Sequence, residues 1–245
     1  MFKTMDNLNR KIAILIPAYN EGKYIKDVVN NCSKYKLDII VVNDGSIDNT
    51  SEMIRSIPNP EKSSITLLEH SFNRGKGQSL ETGFDYAVDN NYEGVITIDA
   101  DGQHKVSEIS NFLQTLEKNN PDIIVGSRFK NIKGMPFIRL ATNYFTSWIV
   151  SLIAGNKIED VQSGFRYINS KVLKNIEVKT KNFDAEPELL VKASWSGYKI
   201  INIPISTIYH KNFTSYVNPI KDTIKFIKLV FNCLLVKKRY TAKKK

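Results

Sequence analysis

Two aspartates, Asp99 and Asp101, follow a short apolar segment and are separated by one residue. Val95, Ile96 and Ile98 precede them and predict a buried parallel strand, so the carboxylates are expected where such a strand ends. That edge of the sheet is where α/β proteins place their ligands. Side chains at i and i+2 on a strand share a face, so the two carboxylates would lie side by side. They would repel each other unless a cation lay between them, and hard oxygen ligands suit Mg²⁺ or Mn²⁺.

The Asp-x-Asp pattern has a plainer interpretation, an ordinary turn at the end of a strand. It does not fit an EF-hand calcium loop, because that loop needs Gly where His104 stands and Glu where Ser110 stands. The order of the segments around the pair therefore has to decide between a cation site and a plain turn.

The elements that would position the pair alternate between strands and helices. Apolar runs at 12–16, 39–42, 95–98 and 122–128, and the segment ITLLE at 65–69, predict strands. Helical patterns follow the runs at 12–16 and 39–42 and the segment ITLLE. This alternation predicts an α/β fold with a mostly parallel sheet flanked by helices, as in Rossmann-like proteins.

The pattern changes after residue 128. Residues 137–155 are apolar nearly all round, but Arg139 and Asn143 argue against a membrane-spanning helix. We expect a helix that packs partly on the body and partly against an apolar surface, with a plain core helix as the alternative. The segment DVQSGFRYINSKVL is interpreted as a polar loop leading into a helix. A further helix should end at Gly197, and an edge strand should run to Pro204.

Positive charge is concentrated at the C-terminus. Of the net charge of +10, residues 211–245 hold ten Lys/Arg and one acid, which is +9. Apolar residues at helical spacing lie beside these lysines, which predicts a basic amphipathic C-terminal helix at an anionic membrane surface. We expect one domain over 1–210 and this helix with its tail over 211–245. A solvated tail or a phosphate-backbone binder is the alternative, but no nucleic-acid motif accompanies it, so no nucleic acid is expected as a partner.

Six motifs occur in order along the chain: PAYNE at 17–21, VNDGS at 42–46, NRGKG at 73–77, DADGQ at 99–103, GSR at 126–128 and SGFR at 163–166. In this order and spacing they resemble a family 2 glycosyltransferase of the GT-A fold. Within that family the chain is most similar to dolichol- and polyprenyl-phosphate sugar synthases. The resemblance covers residues 11 to about 205.

The resemblance implies a role for each motif in binding a nucleotide-sugar donor. The residues it would place around the donor are Pro17, Ala18, Tyr19, Asn20, Glu21, Asp44, Lys76, Asp99, Ala100 and Gln103. Asp44 would accept a hydrogen bond from the base or ribose. Asp99, Asp101 and Gln103 would hold the divalent cation, Mg²⁺ or Mn²⁺, on the diphosphate. Such a cation would stabilise the charge of the leaving group.

The resemblance also suggests groups that would act on the acceptor. Arg128, Arg139 and Arg166 are fixed positive charges suited to a phosphate, although a surface salt bridge would explain any one of them. Asp184, Glu186 and Glu188 lie where related enzymes have a catalytic carboxylate. His210 and Lys211 stand where relatives close a basic segment over the donor. Asn43 replaces a second Asp of many relatives, which leaves the donor base open.

These features together predict an inverting, metal-dependent glycosyltransferase that moves a sugar from a GDP- or UDP-linked donor to a polyprenyl phosphate. It would be peripheral on the cytoplasmic face of the membrane, because the two cysteines form no disulfide framework and the N-terminus resembles no signal peptide. A homo-oligomer or a membrane-protein partner is compatible with this prediction. A transferase to a glycan or protein hydroxyl, a sugar-phosphate nucleotidyltransferase and a nucleic-acid binder remain as alternatives.

Overall fold

The computed structural model describes residues 10–61, 63–129, 137–178 and 185–208, together with Lys237 and Tyr240. Within these ranges the side chains of residues 138 and 139 are not described. The predicted C-terminal helix therefore lies outside the described residues apart from two positions. Asp184, His210 and Lys211 lie outside them as well.

The described part of the chain contains a seven-stranded sheet of order β3-β2-β1-β4-β6-β5-β7. Its strands are β1 (Ile12–Ala18), β2 (Asp38–Asn43), β3 (Ile65–Glu69), β4 (Gly94–Thr97), β5 (Ile123–Ser127), β6 (Arg166–Asn169) and β7 (Ile200–Pro204). All neighbouring strands are parallel except β6, which is antiparallel to both β4 and β5. The predicted mostly parallel α/β sheet is confirmed, as is the edge position of the strand that ends at Pro204.

Helices cover both faces of the sheet. They are α1 (Ile25–Ser33), α2 (Thr50–Arg55), α3 (Lys76–Asp89), α4 (Ile109–Asn119), α5 (Phe137–Ala154), α6 (Ser170–Asn175) and α7 (Ala185–Trp195). Alternate residues of β1 enter two separate cores. Leu15 belongs to the core that contains residues of α3, α5, α6 and α7, whereas Ile14 belongs to the core that contains residues of α1 and α4. Burial of both faces explains why the parallel strands are continuously apolar.

The segment Arg166–Asn169 was interpreted from the sequence as part of a polar loop, and this was wrong. It forms β6, inserted between β4 and β5, with Tyr167 and Ile168 buried on opposite faces. Four residues are too few to establish a period of two, and Arg166 and Asn169 at its ends make the segment polar in composition. The insertion brings the first residue of β6 to the edge at which β4 ends.

Helix α5 buries polar side chains and exposes large apolar ones, whereas an ordinary surface helix does the opposite. Asn143, Thr146 and Ser147 are buried, although they are polar. Large apolar side chains point away from the body instead: Phe137, Tyr144, Phe145, Trp148 and Leu152 are between 47% and 81% exposed. The predicted helix is therefore present, and its outer face is apolar. Within the described residues, no helix combines the length and the apolar character needed to cross a bilayer.

The two described C-terminal residues lie against α7. Tyr240 is buried, and the Nζ of Lys192 lies 5.4 Å from the centre of its ring. Lys237 places its Nζ 5.7 Å from the ring centre of Trp195. These contacts lie at the last turn of α7, and all residues of this helix from Ala185 to Trp195 are buried.

Candidate active site

Two turns at the carboxyl ends of β1 and β2 are joined by hydrogen bonds. Asn20 adopts a left-handed conformation with φ of 55°, and its side chain accepts a bond of 2.9 Å from the backbone N–H of Ile47. Its own N–H donates to Ser46 Oγ at 2.9 Å, and the N–H of Glu21 donates to Thr50 Oγ1 at 2.9 Å. The PAYNE and VNDGS motifs therefore form one surface, on which Tyr19 is 42% exposed.

Asp44 is buried beneath this surface and binds protein groups. Its Oδ1 lies 2.6 Å from Nδ1 of His70 and accepts the N–H of Arg74 at 2.9 Å, while its Oδ2 accepts the N–H of Gly75 at 2.8 Å. His70 in turn contacts Thr82 Oγ1 through Nε2 at 3.0 Å. In this arrangement Asp44 fixes the NRGKG loop, which starts α3 at Lys76.

The DADGQ motif forms a turn, because β4 ends at Thr97. The expectation that Asp99 and Asp101 share one face of a strand is therefore wrong, and the two carboxylates have different partners. Asp99 binds Lys76 Nζ through Oδ1 at 2.7 Å and lies 3.2 Å from His104 Nε2 through Oδ2. Burial would raise the pKa of Asp99, but the charge of Lys76 and the bonds from His104 and Lys76 hold it below its usual range.

Asp101 is held by its own turn. Its two oxygens accept bonds of 2.9 Å from the backbone N–H and the Nε2 of Gln103. Burial, followed by the charge of Asp99, raises the pKa of Asp101. Burial and the charges of Asp101, Asp99 and Asp48 raise the pKa of Glu21 to about 7. Within the described ranges, neither Glu21 nor Asp101 has an ion-pair partner, so this edge of the sheet carries excess negative charge.

This excess charge fits a divalent cation. Asp99, Asp101 and Gln103 offer carboxylate and amide oxygens, which are the ligands that Mg²⁺ and Mn²⁺ take. In the described part of the chain, no three His, Cys, Asp or Glu side chains are grouped as a complete metal site. Mg²⁺ is commonly held by one or two carboxylates together with substrate phosphates. The donor set therefore suits a cation whose coordination is completed by a bound diphosphate.

A cluster of two cations and one carboxylate lies beside this turn. Glu186, at the start of α7, places Oε1 3.6 Å from Lys76 Nζ and 3.9 Å from Arg166 Nη1. Arg166 is 1% exposed, and its Nη2 donates to the carbonyl of Val161 at 2.6 Å. Its Nε and Nη1 are buried and have no hydrogen-bond partner. A buried guanidinium with unused donors is costly unless a ligand completes it.

Arg128 has a different environment. Its Nε and Nη2 donate to the two carboxylate oxygens of Asp160 at 2.7 and 2.8 Å, and its backbone N–H donates at 3.1 Å. Asp160 is fully buried. The pair is a bidentate ion pair inside the protein, which occupies Nε and Nη2, two of the groups that were expected to bind a phosphate.

Residues 13–177 match the sequence model of Glycosyl transferase family 2. The chain belongs to this family. It is therefore a glycosyltransferase. The two alternative functions considered from the sequence, a sugar-phosphate nucleotidyltransferase and a nucleic-acid binder, are excluded.

Two relatives of this glycosyltransferase have names that refer to lipid phosphates. The UDP-N-acetylglucosamine–dolichyl-phosphate N-acetylglucosaminyltransferase of Methanococcus voltae is 33% identical over 82% of this chain and 87% of its own length. The polyprenol monophosphomannose synthase of Mycolicibacterium smegmatis is 24% identical over 80% of this chain and 77% of its own. The resemblance to polyprenyl-phosphate sugar synthases is confirmed.

Solved structures support the GT-A fold. The crystal structure of glucosyl-3-phosphoglycerate synthase from Mycobacterium tuberculosis with Mn²⁺ and UDP-glucose has a TM-score of 0.69 at 15% identity, and it covers 94% of this chain and 79% of that one. The structure of Staphylococcus aureus TarS 1–349 with UDP has a TM-score of 0.62 at 18% identity, covering 95% and 70%. At these identities the likeness concerns the fold.

The structure distinguishes among the carboxylates and arginines expected in this glycosyltransferase. Glu186 faces Lys76 and Arg166, whereas Glu188 forms a buried ion pair with Lys192. Asp184 and the side chain of Arg139 are outside the described residues. Three contributors were missed from the sequence: His70, His104 and Gly164. A Cβ on Gly164 would come within 2.4 Å of the Asp99 carboxylate, so SGFR requires its glycine. For Gly164, the SGFR motif was the feature of the sequence that could have indicated its role.

We expect Arg128→Met to destabilise the glycosyltransferase by about 3–5 kcal/mol, because Asp160 would be left buried and unpaired. Urea unfolding followed by circular dichroism measures this. The matched control is Arg55→Met, which breaks an exposed pair with Glu69 and should cost about 0–1 kcal/mol. Equal stability of the two variants would show that Arg128 is not the structural partner of Asp160.

Proposed function

We propose that this glycosyltransferase transfers one sugar, with inversion, from a nucleotide-diphosphate sugar to a polyprenyl phosphate. The observation that carries the proposal is the buried guanidinium of Arg166, whose Nε and Nη1 lack hydrogen-bond partners beside Lys76 and Glu186. A phosphate would accept bonds from a guanidinium fork. A sugar hydroxyl carries no charge and offers a single oxygen, so it matches the two free donors of the guanidinium less well.

The proposed reaction needs little proton chemistry. An oxygen of the acceptor phosphate attacks the anomeric carbon, the bond from that carbon to the donor diphosphate breaks, and the nucleoside diphosphate leaves with the bonding electrons. Because the phosphate is already ionised near neutral pH, no strong base is required. Arg166 would hold the acceptor phosphate, and Glu186 would orient Arg166 and Lys76. Asp99, Asp101 and Gln103 would hold a divalent cation, which supplies charge stabilisation to the diphosphate.

The experiment is an acceptor comparison with the purified full chain. UDP-N-acetylglucosamine is the first donor to test, because the relative from M. voltae is named for it; the remaining UDP- and GDP-sugars follow. Undecaprenyl phosphate is compared with undecaprenol and with free glycans, with Mn²⁺ or Mg²⁺ present. We expect a sugar-phosphate lipid and a nucleoside diphosphate as products. Transfer to a glycan or protein hydroxyl, with none to lipid phosphate, would support the alternative acceptor instead.

We expect Glu186→Gln to slow transfer to a lipid phosphate by less than about tenfold, because no proton has to be removed from the acceptor. Loss of a general base for a hydroxyl acceptor would cost about 10²–10⁴-fold. Initial rates at saturating donor give the comparison, and Glu117→Gln on the exposed side of α4 is the matched control. A loss of the larger size with lipid phosphate as acceptor would contradict this mechanism.

We also propose that the outer face of α5 rests on the cytoplasmic face of the membrane, where it would meet the lipid acceptor. The face consists of Phe137, Tyr144, Phe145, Trp148 and Leu152, all exposed. Exposed apolar patches of this kind are typical of membrane or protein contacts, and aromatic side chains suit the headgroup region. The basic segment 211–245 would add attraction to anionic lipid that is screened by salt.

We expect the double variant Phe145→Ser/Trp148→Ser to lose binding to vesicles at high salt, because only the apolar contact resists screening. Truncation after Pro219 should weaken binding at low salt, since it removes most of the basic charge. Co-sedimentation with phosphatidylglycerol-containing vesicles measures both. Ile47→Ser is the control, because Ile47 is 89% exposed on a loop far along the chain from α5. Equal pelleting of the double variant and the wild type at high salt would rule out the α5 contact.

A further inference from the structure

A groove of about 420 Å³ lies between α3 and the segment that includes α6 and the start of α7. One wall is formed by Leu80, Phe84 and Val88 of α3, and the other by Leu173, Ile176 and Leu189. Four exposed charged residues border it: Glu81, Asp85, Lys174 and Glu177. The groove therefore has an apolar interior and a charged rim.

The groove has two different ends. Thr97, Arg166 and Glu186 line it at the edge of the sheet that carries the active site. Strand β6 runs away from that edge and leads into α6, so Leu173 lies towards the opposite edge, as does Val88 near the end of α3. At 1.5 Å per residue, the stretch of α3 from Gly77 to Val88 extends about 16 Å. The groove is a path from the buried guanidinium to the far side of the molecule.

We propose that this groove binds the hydrocarbon chain next to the phosphate of the lipid acceptor, an inference that rests on the proposed function. The unpartnered Nε and Nη1 of Arg166 select an anion at one end, and the apolar walls select hydrocarbon beyond it. A molecule with one phosphate and a linear chain of isoprene units matches both requirements. A nucleotide does not, since its polar ribose and base would be placed against Leu80 and Phe84.

The test is the dependence of affinity on chain length, measured by isothermal titration of the full chain with UDP and Mn²⁺ present. The probes are inorganic phosphate and the monophosphates of isopentenol, geraniol and farnesol. Burial of the chain should make geranyl phosphate bind at least about tenfold more tightly than inorganic phosphate. Equal affinity for all four probes would overturn the proposal.

Two variants should block the far end of the groove, Leu173→Trp and Val88→Trp. Each should remove the gain from geranyl to farnesyl phosphate while leaving the affinity for inorganic phosphate unchanged. Asn175→Trp is the matched control, because it adds the same bulk to the exposed side of α6. A full chain-length gain in both blocked variants would contradict the assignment. Leu173→Ala, which removes contact area without adding bulk, should weaken farnesyl phosphate binding several-fold and covers the case in which the larger variants do not fold.

The experiments can contradict the groove assignment and the proposed function independently of each other. If sugar is transferred to undecaprenyl phosphate equally well by the wild type and by folded Leu173→Trp and Val88→Trp, the function stands and the groove assignment is wrong. If prenyl phosphates show the expected chain-length dependence but no nucleotide sugar is a donor to them, the groove assignment stands and the proposed transfer is wrong.

Discussion

Asp101→Ala should lower sugar transfer by about 10³-fold or more and remove cation-dependent donor binding, while the protein stays folded. A cation on the departing diphosphate contributes several kcal/mol of transition-state stabilisation, and Asp101 is a proposed ligand with no ion-pair partner in the described ranges. Donor binding is measured by thermal shift with UDP, with Mn²⁺ and with chelator, and turnover by initial rates.

Folding should survive this change for an electrostatic reason. Burial and the charge of Asp99 raise the pKa of Asp101, so its ionised form opposes folding at neutral pH. Removing it leaves only Gln103 without its acceptor, and Asp27→Ala on the exposed side of α1 provides a matched control. Wild-type turnover of Asp101→Ala, in chelator as in Mn²⁺, would contradict the metal assignment.

Arg166→Met should have the opposite pattern to Arg128→Met. Arg166 has unused donors, and Glu186 would keep Lys76 Nζ at 3.6 Å, so methionine of similar length should cost less stability than Arg128→Met does. Transfer to a lipid phosphate should fall by about 10²–10³-fold, because the charge that holds the acceptor is lost. Turnover and urea unfolding of the same preparations give both values.

Arg166→Lys separates charge from geometry. Lysine keeps the positive charge but not the guanidinium fork, so the KM for lipid phosphate should rise more than kcat falls. If Arg166→Met lost several kcal/mol of stability in parallel with its activity, the arginine would have the structural role that we expect for Arg128.

The alternation of strands and helices could be predicted because buried parallel strands are continuously apolar and helices carry an apolar stripe. The position of the motifs at one edge followed from the same pattern, since the carboxyl ends of β1, β2 and β4 meet there. Strand β6 could not be recognised. Its four residues gain their place from pairing with β4 and β5 rather than from their own periodicity.

The roles of the arginines depended on this missing strand. Arg128 and Asp160 are 32 residues apart, and nothing local indicates that they pair. Arg166 reaches the active edge only because β6 runs antiparallel and starts there. Asp44 was assigned to the nucleotide because of its motif, yet its partners His70, Arg74 and Gly75 come from the segment after β3. Contacts between distant segments depend on the order and direction of the strands in the sheet, and these could not be predicted from one sequence.

The insertion of β6 also constrains how this chain acquires its structure. Strands β1 to β4 can pair once residue 97 has emerged from the ribosome, but the open side of β4 can pair with β6 only after Arg166–Asn169 has emerged. Until then β4 has unpaired backbone donors and acceptors along one side, and no strand pairing links β5 to strands β1 to β4. The joining of the two halves is a late, non-local step, and such steps slow folding and favour aggregation. Substitutions in β6 should therefore lower soluble yield during expression more than they lower the stability of protein that has already folded.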